Sequence, residues 1–146
     1  MEKVIKDLPV LAVDDEESII RLYKHVLKDY NLLLAQSAEQ ALEVFKQHTD
    51  TAVVITDIVM EEETSGIDLI EKIEALNPVT QFIIISGLHG KNSIALQTVK
   101  GSVSSLPKPV EVAHLEMAVR AAYIRYFDYC LLYDILSAIA KYPKVF

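Results

Sequence analysis

The sequence predicts an α/β protein: a doubly wound, five-stranded parallel sheet with helices on both faces and an extended C-terminal helix. Three observations predict it. Short apolar runs alternate with longer amphipathic ones along the 146 residues, which is the βα alternation of a parallel sheet. The short runs are continuously apolar, as strands covered on both faces must be. Four of the five end in a carboxylate, a hydroxyl or an amine, at the edge where open parallel sheets bind ligands.

Residues 8–13 form the first strand and stop at Asp14-Asp15-Glu16. Ile19, Ile20, Tyr23, Val26 and Leu27 then keep one face of a helix apolar. Residues 31–35 are a second strand. Ser37-Ala-Glu-Gln40 fits a capping box, and Ala41, Leu42, Val44 and Phe45 continue the helix it opens. Thr51-Ala-Val-Val-Ile-Thr-Asp57 is a third strand, rich in β-branched residues and again ending in a carboxylate. A polar loop leads to a helix over 66–76, closed by Asn77-Pro78. Residues 81–86 form the fourth strand, 92–100 a weaker helix and 102–106 a short fifth strand. After Pro107-Lys108-Pro109 a helix runs from about 111 to about 140. No internal repeat interrupts this order.

Half the residues are apolar, with only 4 Gly and 5 Pro, so the chain reads as one folded domain. The net charge of -7 disfavours nucleic acid as a direct partner and suits a divalent cation or a basic protein surface. The single cysteine, Cys130, lies in an apolar run and reads as a buried structural thiol. His25, His48, His89 and His114 show no metal-binding spacing. The apolar start is too short for a signal peptide, and no run approaches the roughly 20 apolar residues of a membrane span. A cytoplasmic protein without membrane contact is expected.

The strand ends carry the chemistry. The first presents Asp14 and Asp15, the third Asp57, the fourth Ser86, and the fifth is followed by Lys108. Three carboxylates gathered at one edge repel one another unless a cation sits among them. Such an oxygen-rich cluster suits Mg²⁺, which combines few carboxylates with waters and phosphate oxygens. Lys108 adds a mobile positive charge and Ser86 a hydroxyl donor for an incoming phosphoryl group.

Five segments resemble the response regulator receiver domains of two-component signalling. They are Val13-Asp-Asp-Glu16, Val54-Ile-Thr-Asp-Ile-Val-Met60, Ser65-Gly-Ile-Asp-Leu-Ile70, Ile84-Ile-Ser-Gly87 and Leu106-Pro-Lys-Pro109, in that family's order and nearly at its spacing. The resemblance covers about residues 7–124. It implies a flavodoxin-like strand order, 2-1-3-4-5. It implies that Asp57 accepts a phosphoryl group from a histidine kinase or phosphotransfer protein. Asp15, Asp57 and the backbone carbonyl of Val59 would ligate Mg²⁺ directly, and Asp14 through water. Lys108 would bind a phosphoryl oxygen, Lys108–Pro109 would be cis, and Ser86 would move toward the phosphoryl group. The domain would not be an enzyme beyond catalysing its own phosphorylation and dephosphorylation.

The sequence also departs from the family. The loop Met60-Glu-Glu-Glu-Thr-Ser-Gly66 lacks the usual proline after the methionine and reaches its glycine one residue late. Ser105 stands where most members carry the Tyr or Phe that swings inward on activation, so another element, the last helix first, would relay output. Val59 and Leu88, at two positions that tune hydrolysis, are both apolar, which predicts a long-lived phosphoryl group. An aspartyl phosphatase of the haloacid-dehalogenase type would need a carboxylate at Val59. A Rossmann or P-loop protein would need a glycine-rich turn where Asp14-Asp-Glu-Glu stands. A pseudo-receiver acting without phosphorylation, and a receiver fragment of a longer regulator, remain as alternatives.

Receiver domains normally end near Ala122, which divides the chain into a receiver at 1–124 and a helical extension at 125–146. Leu115, Val119, Ala122, Tyr126, Tyr129, Tyr133, Leu136 and Ala140 step by four and three like a coiled-coil seam. Ile124, Phe127, Leu131, Ile135 and Ala138 form a second stripe. One helix cannot bury both stripes against its own sheet, so self-association as a homodimer is expected. A connection to an output domain, or a fold back onto the same domain, would be the other ways to cover it.

Overall fold

A computed structural model describes residues 7–60, 65–87 and 103–141. The elements are β1 (Pro9–Val13), α1 (Glu17–Val26), β2 (Asn31–Ala35), α2 (Ala38–Gln47), β3 (Val53–Asp57), α3 (Ser65–Leu76), β4 (Gln81–Ser86), β5 (Val103–Pro107) and α4 (Val112–Lys141). The helix expected over 92–100 lies outside the described residues, as does Leu88.

All five strands are parallel, in the order β2-β1-β3-β4-β5, so the expected sheet is the one observed. Successive side chains of a strand point to opposite faces, and this splits the core in two. Val10, Ala12, Val53, Ile55, Ile83 and Ile85 face α1 and α4. Leu11, Val13, Val54, Phe82 and Ile84 face α2 and α3. β1 and β3 are buried along their whole length, which is why their sequences are apolar without alternation.

Local chemistry sets the element ends. Ser37 Oγ accepts from the Gln40 N–H at 3.1 Å, as a capping box requires. The return bond goes one residue further back than that motif: Gln40 Oε1 accepts from the Gln36 N–H at 2.8 Å. β3 begins at Val53 instead of Thr51 because Thr51 folds back on the preceding turn, its N–H and hydroxyl both donating to the His48 carbonyl. β5 sits one residue later than expected, with Pro107 paired to Ser86, which brings the strand end up to Lys108.

α4 is one continuous helix of 30 residues, about 45 Å long. Leu115, Val119, Ala122, Tyr123 and Tyr126 bury its first half. The Tyr123 hydroxyl donates to the Leu8 carbonyl at 2.6 Å, and its ring stacks on Tyr30. Every residue from 131 to 141 is exposed, so the helix runs past the edge of the sheet. Cys130, expected to be buried, is only half-buried because it lies where the helix leaves the domain. No described helix is long and apolar enough to cross a membrane.

Candidate functional site at the carboxyl edge of the sheet

The parallel sheet brings the strand-end residues to one edge. Asp14 follows β1, Asp57 ends β3, Ser86 ends β4 and Lys108 follows β5. Their closest link is an ion pair: Lys108 Nζ donates to Asp57 Oδ2 at 2.6 Å, short enough for a charge-assisted hydrogen bond. The other Asp57 oxygen, Oδ1, accepts from the Val59 N–H at 3.2 Å. With both oxygens held and the residue 7% exposed, the Asp57 carboxylate has a defined orientation.

The turn that presents Lys108 is fixed by its backbone. The Lys108 N–H donates to the Ser86 carbonyl at 3.0 Å, and the Lys108–Pro109 peptide is cis. Burial is the largest single influence on Lys108 and works against its charge. The Asp57 hydrogen bond and the charges of Asp57, Asp14 and Glu16 together outweigh it and raise its pKa. Lys108 therefore stays cationic.

Asp14 is fully buried. Its Oδ1 accepts from the Glu16 N–H at 2.8 Å, while its Oδ2 is buried with no hydrogen-bond partner among the described residues. Burial pushes its carboxyl above the ordinary range; the Glu16 N–H and Lys108 pull it back, and Asp57 and Glu16 add to the rise. An orphaned, desolvated carboxylate oxygen is a group in need of a cation or a cation's water. Asp14, Asp15 and Glu16 each offer an oxygen within 4.8 Å of the others, and a hard-oxygen set of this kind fits Mg²⁺.

Reading the sequence missed two contributors. Glu16 closes the acidic trio and lies 3.9 Å from Lys108 Nζ; its only signal was its place in the Asp14-Asp15-Glu16 run. Gly66 packs against the acceptor strand, where a Cβ would stand 1.9 Å from the Asp57 carbonyl oxygen. Its N–H donates to the Ile58 carbonyl at 2.9 Å, and Ser65 Oγ accepts from the Met60 N–H at 3.1 Å. The late glycine thus still meets the end of β3. Ser105 is exposed, and Glu61, Glu62 and Glu63 lie outside the described residues.

Comparison with known proteins agrees with this geometry. The sequence model of the response regulator receiver domain family matches residues 10–120. A putative response regulator, NtrX-like, of Rickettsia conorii is 36% identical over 108 residues, covering 72% of this chain and 23% of that protein. The chemotaxis protein CheY of Listeria monocytogenes is 26% identical over 117 residues, covering 79% of this chain and 98% of that one. The crystal structure of a response regulator receiver domain protein from Clostridium thermocellum superposes with a TM-score of 0.72 at 29% identity, covering 81% of this chain and 95% of that one. The chain spans about a quarter of the length of the NtrX-like relatives. With the strand order, the edge carboxylates and the paired lysine in place, the family match is unambiguous: this chain belongs to the response regulator receiver domain family of two-component signalling.

Proposed function

We propose that the chain is a phosphoacceptor of a two-component or phosphorelay pathway, taking a phosphoryl group on Asp57 from the phosphohistidine of a histidine kinase or phosphotransfer protein in the cytoplasm. The observation that carries this reading is the Asp57–Lys108 pair at 2.6 Å, set beside the buried, half-partnered carboxylate of Asp14. An aspartate merely paired for stability would not need a second desolvated carboxylate next to it.

In the transfer an Asp57 carboxylate oxygen attacks phosphorus, and the bond from phosphorus to the donor imidazole nitrogen breaks. The electron pair of that bond stays on the imidazole. The product is an acyl phosphate on Asp57. The Val59 N–H keeps the carboxylate oriented while Lys108 exchanges its hydrogen bond with Asp57 for one to a phosphoryl oxygen. Ser86 adds a hydroxyl at the end of the neighbouring strand. Held by Asp14, Asp15, Asp57 and the Val59 carbonyl, with Glu16 in reach, Mg²⁺ would neutralise the gathering phosphoryl charge. Chemistry on other substrates is not proposed; the domain acts only on its own acceptor.

Incubation with acetyl phosphate, followed by intact mass measurement, tests this. One phosphoryl adduct that requires Mg²⁺ and forms more slowly in Lys108→Ala is expected. If wild type gained no adduct and also failed to bind beryllofluoride, a phosphoryl mimic, the phosphoacceptor reading would be wrong and a phosphorylation-independent module would replace it.

A further inference from the structure

Two tyrosines are fully enclosed in the layer between the sheet and helices α1 and α4, Tyr23 and Tyr123. The Tyr123 hydroxyl donates to the Leu8 carbonyl. The Tyr23 hydroxyl is buried with no hydrogen-bond partner among the described residues, and so is Asp14 Oδ2. Phenylalanine would fill the same core site without burying an orphaned donor, which is costly. The two orphans are complementary: a hydroxyl that needs an acceptor and a carboxylate oxygen that needs a donor. Ser104 Oγ, the other buried oxygen of this kind, lies on the edge strand β5 and not beside β1.

The fold puts Tyr23 and Asp14 on one side of the sheet. Val10 and Ala12 of β1 face α1 and α4, and the alternation carries on to Asp14. The Asp14 N–H still bonds the Ala35 carbonyl of the neighbouring strand at 3.1 Å, so the ladder extends that far. α1 starts at Glu17, at the carboxyl edge. Side chains of a helix lean toward its start, which directs the Tyr23 ring back toward the site. Burial first, and then the charges of Asp14 and Asp57, push the Tyr23 pKa up. The hydroxyl therefore keeps its proton and lies in the field of both carboxylates.

We propose that Tyr23 is a positioning residue of the metal site: its hydroxyl donates to Asp14 Oδ2, directly or through one water, and fixes the orientation in which Asp14 meets Mg²⁺. Groups that hydrogen-bond to metal-holding carboxylates orient them and tune the affinity for the ion. An Oδ2 that accepts from Tyr23 keeps a second lone pair for a water held by Mg²⁺. The inference rests on the Mg²⁺-dependent phosphoacceptor reading and adds to it a residue from the core beneath the site.

Calorimetric titration of the unphosphorylated full chain with Mg²⁺ is the test, on wild type, Tyr23→Phe and Tyr123→Phe. Tyr23→Phe is expected to weaken Mg²⁺ binding by about 10-fold. Tyr123→Phe removes an equally buried hydroxyl that bonds Leu8, ahead of β1, and should leave Mg²⁺ binding unchanged. Phosphorylation of Tyr23→Phe by acetyl phosphate should return to the wild-type rate at saturating Mg²⁺, since the acceptor itself is intact. A Tyr23→Phe variant that binds Mg²⁺ as tightly as wild type would overturn the inference and leave the phosphoacceptor reading standing. So would a loss shared equally by Tyr123→Phe, which would mark a general effect of the core, or a slow rate that saturating Mg²⁺ does not repair. A wild type that binds no Mg²⁺ would overturn both.

Discussion

Gly66 and Asp14 show what the site demands of single residues. The Asp57 carbonyl leaves no room at Gly66 for a side chain, so Gly66→Ala must push α3 away from β3 or shift the acceptor. We expect a loss of about 2–4 kcal/mol of stability, as for other steric insertions into packed backbone, measured by urea unfolding. Asp14 is the converse case, because its ionised form is disfavoured by burial. At neutral pH, Asp14→Asn should raise the thermal midpoint of the metal-free protein and abolish the further rise that Mg²⁺ gives wild type. An unchanged response to Mg²⁺ would remove Asp14 from the metal site. That Asp14, Asp57, Ser86 and Lys108 stand at one edge was legible because each ends or follows an apolar strand, a signal confined to a few neighbours in sequence. Glu16 and Gly66 were not, because their roles arise from contacts between segments: the Lys108–Asp57 pair that Glu16 joins closes across 51 positions of chain.

Among the elements, α3 carries an electrostatic flaw. Its last turn has no basic residue, while Glu74 there is partly buried, one turn from Glu71. Burial first, and the Glu71 charge second, raise the Glu74 pKa above its ordinary 4.5, and a negative charge at a helix C-terminus is unfavourable as well. A carboxyl with a raised folded pKa weakens the fold once ionised, so stability returns as pH falls from that raised value toward 4.5. Glu74→Gln should therefore stabilise the domain by about 0.5 kcal/mol at pH 7, and the gain should shrink on acidification through that window. A gain equal at all pH values would exclude the charge as its origin. The described strands and helices were read from apolar periodicity to within one or two residues. The misplaced ends have local causes, such as Thr51 folding back on His48. The apolar pattern of α4 runs on past Tyr126 without a change, so the point where the sheet stops supporting the helix could not be seen in it.

At the scale of the whole molecule, the fold gathers residues from four strand ends, spread over 95 positions from Asp14 to Lys108, into one acidic edge with Lys108 beside it. Beyond residue 130 the last helix is exposed on every side. Asp57 is the proposed phosphoryl acceptor. Borohydride reduces an aspartyl phosphate to homoserine, so treating the acetyl phosphate-loaded protein and mapping its peptides locates the phosphoryl group. Homoserine is expected at position 57 alone, dependent on Mg²⁺ and absent from Asp57→Asn. Homoserine at Asp14 or Asp15, or no reduced residue in protein that has gained a phosphoryl mass, would contradict it.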